Sequence, residues 1–252
     1  MALYDPADER PYRVSRTKID LFVSCPRCFW LDRRAGISRP PGFPFTLNNA
    51  VDTLLKKEFD IHRAKGIAHP LMKEYGLKAV PLSHKKIDEW RDSRRRGITY
   101  HHPKTNLVIT GGIDDVWVRP DGELIIVDYK ATSTKDEITL DSEYKEGYKR
   151  QMEIYQWLFR KNGFRVSSTG YFVYANGRSD RKAFDGKLEF DVQLIPYTGS
   201  DRWVEKTVVD LWKCLRTDHP PEAADECEYC AYAASRIEAD KTPKKRVYVG
   251  SS

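Results

Sequence analysis

Along the first third of the chain, apolar positions recur at intervals of three and four. Ile19, Phe22, Phe29 and Trp30 fall on or near one face of a helix that Ser15 or Thr17 would cap, running to about Arg34. Leu47, Val51, Leu54, Leu55 and Phe59 mark a second helix from Leu47 to Arg63, and Lys85 to Arg96 reads as a third, more polar one. Prolines and a glycine make Ser38 to Phe45 a stiff loop, and residues 1–14 read as a polar arm. The pattern then changes to period two, with strands expected at Leu107–Thr110, Ile113–Val118 and Glu123–Tyr129. Tyr144 to Asn162 is a helix ended by Gly163. Tyr171–Tyr174 and Leu188–Leu194 are strands, Trp203 to Arg216 is a helix, and a cysteine-bearing tail follows. This order predicts an α/β fold with a mixed central β-sheet flanked by helices. With no shift in composition along the chain, residues 1–252 read as one domain.

The sharpest local signal is Arg119-Pro120-Asp121-Gly122-Glu123 between two β runs. Pro120 presets φ at the first turn position and Gly122 accepts positive φ, which suits a short hairpin loop with Arg119 facing Glu123. Counting back along both strands sets Asp114 opposite Asp128, with Cβ atoms about 4.5–5.5 Å apart. Two carboxylates so placed repel each other unless one is protonated or a cation lies between them. Strand alternation puts Lys130 on the same face as Asp128, opposite Gly112, which has no side chain to obstruct it. Asp115 becomes the neighbour on the other face, although a bulge would exchange it with Asp114. Asp128 ends the run Leu-Ile-Ile-Val, the pattern of a buried central strand, and a charge emerging there needs a reason. Hard oxygen ligands of this kind suit Mg²⁺ or Mn²⁺, and such an ion lowers the pKa of bound water and clamps a phosphate. Lys130 would then orient or deprotonate the water, or offset charge in the transition state.

Composition narrows the classes. The chain has 252 residues, 40% hydrophobic and 32% charged, a globular balance rather than a disordered one. Its densest aliphatic stretch, Leu124–Val127, is far short of a membrane span, and no apolar leader is visible, so a cytoplasmic protein is expected. A formal charge of +6 permits a polyanionic partner without demanding one, and the Arg94–Arg96 and Lys244–Arg246 groups are each ordinary solvated faces when taken singly. The five cysteines, an odd number, point to metal or free thiols rather than to disulfides. Cys25-Pro26-Arg27-Cys28 and Cys227-Glu228-Tyr229-Cys230 are the strongest metal signature in the chain. A centre holding both pairs would clip the first helix to the last segment. Four thiolates suit a [4Fe–4S] cluster or Zn²⁺ equally on spacing. Cys214 is a buried free thiol, or a reserve ligand should Cys28 not bind.

Taken in order, Gly-Gly-Ile-Asp-Asp-Val, Ile-Val-Asp-Tyr-Lys-Ala-Thr and the helix Tyr-Lys-Arg-Gln-Met-Glu-Ile-Tyr-Gln-Trp-Leu resemble the PD-(D/E)XK nuclease superfamily, in particular its RecB-like exonucleases. The likeness runs from about Ser15 to Tyr232. It implies a restriction-endonuclease-like core in which Asp114, Asp128 and the backbone carbonyl of Tyr129 are metal ligands. Lys130 would be the catalytic lysine, and Gln151 would support the site or the nucleic acid. Tyr155, one turn along, would assist Gln151 toward DNA or simply pack in the core. Where such nucleases often carry a metal-binding histidine, this sequence has Asp52, read as a further ligand or else as an exposed helix residue. The CRISPR-associated and AddB-type members hold a [4Fe–4S] cluster on one early and three late cysteines; the two-plus-two set here departs from that pattern, and the likeness still favours the cluster over zinc. The activity implied is metal-dependent hydrolysis of DNA, on single strands or ends, with Lys149, Arg150 and Arg94–Arg96 against phosphates and aromatics against unpaired bases. Rival readings are a non-catalytic nucleic-acid-binding or adaptor protein on the same scaffold and a CRISPR spacer-processing exonuclease.

Overall fold

A computed structural model describes residues 3–42, 46–142 and 145–241. Its spine is β6 (Leu124–Thr132), whose first six residues are all buried. β6 pairs antiparallel with β5 (Asp115–Val118) and parallel with β7 (Thr169–Gly177). β2 (Val80–Pro81) and β8 (Phe190–Thr198) complete a five-stranded sheet in the order β2-β5-β6-β7-β8. A second sheet, β1-β4-β3, joins β1 (Tyr12–Ser15) parallel to β4 (Leu107–Gly111), with β3 (Ile98–His102) antiparallel on the far side. Both sheets therefore mix strand directions, and helices flank them, as the alternating β and α patterns require.

The five-stranded sheet buries both faces. On one face Trp117, Ile125, Val127, Tyr129, Val173 and Leu194 pack with Leu55 and Phe59 of α3 (Thr46–Lys65) and with Leu71 and Met72 of α4 (Pro70–Glu74). Phe59 stacks between the Trp117 ring at 5.3 Å and the His69 ring at 4.3 Å. On the other face Val116, Leu124, Ile126 and Phe172 pack against Met152, Ile154, Tyr155, Leu158 and Phe159 of α6 (Glu146–Lys161). The same cluster takes in Ile19 of α1 (Arg16–Ser24), Phe29 of α2 (Pro26–Arg34), Trp90 of α5 (Ile87–Arg91), and Val204, Val208 and Leu211 of α7 (Arg202–Leu215). A strand apolar on both sides can sit only at the centre of such a sandwich.

Several expected elements are corrected. The single helix to Arg34 is two, because Cys25 before Pro26 is extended (φ −165°, ψ 106°) and Pro26 opens α2. The polar arm is tied down: Tyr12–Ser15 is a strand, and the Tyr4 N–H donates to the Arg33 carbonyl. The Lys85–Arg96 helix shrinks to Ile87–Arg91, since Asp92 leaves helical geometry and accepts from the N–H of Arg95. Gly97, at φ +73°, then turns the chain into β3, a strand whose histidines and threonine hid it. The tail carries a helix, α8 (Glu228–Lys241). Residues 43–45 of the proline loop, Tyr144 at the expected helix start and the Lys244–Arg246 group lie outside the described residues. Among the described residues no helix is long and apolar enough to cross a membrane.

Candidate active site and cysteine centre

The turn sets the geometry. Gly122 takes φ +82°, its N–H donates to the Arg119 carbonyl, and the Arg119 N–H donates to Glu123. From there the register runs Val118↔Leu124, Trp117↔Ile125, Val116↔Ile126 and Asp115↔Val127. The next step along that count is Asp114 against Asp128. Asp114 lies just outside both strands, where the chain passes from β4 to β5. Its carboxylate accepts the Tyr129 N–H at 2.9 Å and so takes over the ladder where a carbonyl would have continued it. Gly112 serves a different purpose from the one expected: a Cβ there would lie 2.5 Å from the Ser93 Cα, so its bareness admits Ser93 rather than Lys130.

Asp128 is fully buried on the α6 face. The Gln151 amide donates to its Oδ1 at 2.6 Å and also to the Tyr155 hydroxyl at 3.3 Å. Its Oδ2 receives the Lys130 ammonium as an ion pair. Lys130 is itself held over the Tyr148 ring, 4.5 Å from the centroid. Burial pushes the Asp128 carboxyl up to about 7 against the pull of Lys130, and the neighbouring Asp114 charge adds to the rise. For Asp114, burial is outweighed by the Lys56 and Lys130 ammoniums and the Tyr129 N–H, which hold it below its usual value. One carboxyl thus favours its proton while its neighbour favours its charge, the expected outcome for two acids crowded together.

Asp52 belongs to the same cleft. A cavity of about 680 Å³ is lined by Asp52, Lys56, Asp114, Tyr129, Lys130 and Tyr148, among others. Burial and the Asp114 charge raise the Asp52 carboxyl. Between them lies Lys56, which the sequence reading missed: its ammonium is 2.8 Å from Asp52 and 3.1 Å from Asp114. Its only trace in the sequence is its position one turn after Asp52 on α3. Asp115 points to the opposite face, where it is fully buried against Arg63, Arg91 at 3.1 Å, the Tyr129 hydroxyl at 2.8 Å and the Trp117 indole at 3.3 Å. Two guanidiniums and two neutral donors account for its burial, so it needs no metal.

The expected DNA contacts divide. Tyr155 is 3% exposed, bonded to Gln151 and under the Arg16 guanidinium, so it offers little face to a base. Its ring also fills the space beside Gly111, where a Cβ would lie 2.6 Å from it. Arg150 is ion-paired with Asp20 at 2.6 Å and Lys149 with Glu146 at 2.6 Å, so both cations are already engaged on the surface of α6. Arg96 pairs with Asp92 at 3.0 Å.

The cysteines converge from opposite ends of the chain. Cys25 stands between α1 and α2, Cys28 in α2, Cys227 just before α8 and Cys230 within it. Their four sulfurs lie within 4.8 Å of one another. Burial raises the Cys28 and Cys230 thiols. At Cys25 it is outweighed by backbone N–H groups of Ala224 and Cys28, which bring the thiol down to about 6. Cys214 stands apart as a free thiol that is half-buried rather than buried, with its sulfur 4.0 Å from the Pro26 carbonyl and partial burial pushing its thiol up to about 11.

No curated protein matches the chain. A solved structure described as "Crystal structure of SSO0001" is similar over 90% of this chain and 86% of its own, at 16% identity and a TM-score of 0.40. The model of the PD-(D/E)XK nuclease superfamily matches residues 13–235. That span takes in both sheets, the hairpin aspartates, Lys130, Gln151 and all four clustered cysteines, and the chain belongs to the PD-(D/E)XK nuclease superfamily.

Proposed function

We propose that the chain is a metal-dependent nuclease that hydrolyses phosphodiester bonds of DNA at the cleft between α3 and β6. The observation that carries this reading is the meeting of Asp114, Asp128 and Lys130 at the open end of one hairpin, beside a cavity of about 680 Å³. The donor set suits a hard divalent cation. Asp128 turns its Oδ2 toward a cation, today the Lys130 ammonium, and the adjacent Asp114 keeps its charge. Asp114, Asp128, the Tyr129 carbonyl and Asp52 would hold Mg²⁺ or Mn²⁺, which supplies a water of lowered pKa and charge opposite a phosphate oxygen.

The chain's own groups do the rest. Gln151 fixes Asp128 Oδ1, leaving Oδ2 toward Lys130. Lys130, steadied over Tyr148, orients the attacking water and offsets the negative charge that grows on the phosphate as water oxygen bonds to phosphorus and the leaving oxygen departs with a proton. Asp115, locked by Arg63 and Arg91, fixes the start of β5 and so the position of Asp114 beside it. Single-stranded DNA or DNA ends, as in RecB-like exonucleases, are the substrate class of this reading, and the cytoplasm is its setting.

A second reading, a nucleic-acid-binding or adaptor protein without catalysis, rests on Lys56: its ammonium already joins Asp52 to Asp114, a place a metal ion would take. Cleavage of labelled single-stranded and duplex DNA with Mn²⁺, wild type against Asp128→Ala, separates the two. Metal-dependent cleavage lost in the variant supports the nuclease. DNA binding of equal strength in both proteins with no cleavage in either supports the adaptor.

A further inference from the structure

Apart from the hydrolytic cleft, and without depending on that reading, the geometry points to a single tetrahedral metal ion, Zn²⁺ by ligand chemistry, held by Cys25, Cys28, Cys227 and Cys230 under the guanidinium of Arg39. Sulfur-to-sulfur distances are 3.6 Å for Cys28–Cys227, 3.6 Å for Cys28–Cys230 and 3.9 Å for Cys25–Cys230. With metal–sulfur bonds of about 2.3 Å, a tetrahedron around one ion has sulfur–sulfur edges of about 3.8 Å. A [4Fe–4S] cluster places each thiolate on a different iron of a cube that also contains four sulfides, so its thiolates stand well outside a single-ion tetrahedron. The residues present do not fit the cube, because four sulfurs all within 4.8 Å of one another enclose space for one ion. The walls are close as well: Leu21, Ala223 and Ala224 pack directly on the thiols. The cluster favoured by the family likeness therefore gives way to a single ion.

Arg39 completes the centre. Four thiolates around a divalent ion carry a net charge of −2, formed as each thiol gives up its proton on binding. The Arg39 guanidinium donates to the Cys227 sulfur at 3.3 Å and lies 4.5 Å from the Tyr229 ring centroid. Tyr229 stands between Cys227 and Cys230 in sequence, so the ring that steadies Arg39 belongs to the cysteine pair it serves. Arg39 is thus a positioning residue that offsets half of the excess charge without touching the ion. The centre also closes a loop of 199 residues between Cys28 and Cys227, so the ion fastens α2 to α8 around the whole nuclease core.

The test is metal and acid-labile sulfide analysis of the wild-type chain, purified anaerobically from medium supplemented with both iron and zinc. About one zinc per chain without sulfide supports the assignment. About four irons with four sulfides overturns it. Replacing zinc by Co²⁺ should give the intense visible bands of a tetrahedral thiolate site, and weak octahedral bands count against it. Arg39→Ala should keep the ion but release it to a chelator about tenfold faster, with Arg39→Lys intermediate. Unchanged release in Arg39→Ala removes Arg39 from the proposal. Cys214→Ser should retain the ion, and its loss there refutes the assigned ligand set.

Discussion

Replacing Asp128 by Asn should make the metal-free protein more stable at alkaline pH. The argument starts from burial: Asp128 is 0% exposed, and its carboxyl rises from 3.8 to about 7 although Lys130 opposes the rise. A carboxyl raised in the folded state keeps its proton there after the unfolded chain has lost its own. Stability therefore falls as pH climbs from about 4 to about 7 and is level above. At about 1.4 kcal/mol per pH unit, the charged form destabilises the fold by about 4 kcal/mol at pH 8. Asn carries no such charge and still accepts the Gln151 amide that Asp128 Oδ1 now accepts at 2.6 Å. The difference between variant and wild type should be small at pH 4, about 2 kcal/mol at pH 5 and about 4 kcal/mol at pH 8, and taking the difference cancels the other titrating groups. Urea unfolding at these pH values, without added Mg²⁺ or Mn²⁺, measures it. Adding Mn²⁺ should then stabilise the wild type and leave Asp128→Asn unmoved. An Asn variant equal to or weaker than the wild type at pH 8 would refute the reasoning.

Other outcomes follow from the same contacts. Lys56→Gln removes the ammonium that now pairs with Asp52 and Asp114, so Mn²⁺ should bind about tenfold more tightly by titration; weaker binding would make Lys56 a helper of the ion rather than its competitor. Asp115→Ala strands the Arg63 and Arg91 guanidiniums and should cost about 3–5 kcal/mol in urea unfolding, far more than loss of the exposed Arg236–Asp240 pair, which should be close to neutral. Gly111→Ala drives a Cβ to within 2.6 Å of the Tyr155 ring and should lower stability by about 1–3 kcal/mol, read as a fall in Tm.

What the sequence made legible was local or periodic. The Pro-Asp-Gly turn specified its own register, and with it the approach of Asp114 to Asp128. Gln151 and Tyr155 were visible as a pair because one helical turn separates them. The cysteine pairs announced their meeting by spacing alone. Lys56 was hidden because its partnership with Asp114 spans 58 residues, and Asp115 because its guanidiniums come from α3 and α5, neither of which the hairpin reveals. The break at Cys25 was masked by apolar positions that continue at helical spacing across it, although Pro26 was the available sign. Tyr155 was left between a role toward DNA and core packing, and its burial favours the packing, since a motif names residue types without saying how deep they lie.

The Arg119–Glu123 turn has a consequence at a distance. Because side chains alternate along β6, a slip of one residue in its register, as a change of turn length can impose, would exchange the two sides of the strand. Tyr129 would be driven toward Gln151, and Asp128 toward the rings of Phe59 and Trp117. A loop at the end of the hairpin farthest from the cleft thus acts as a length gauge for the cleft. Variation in its residue types should be tolerated wherever positive φ is kept at Gly122, whereas a change in its length that shifts the β5–β6 register should part Asp114 from Asp128.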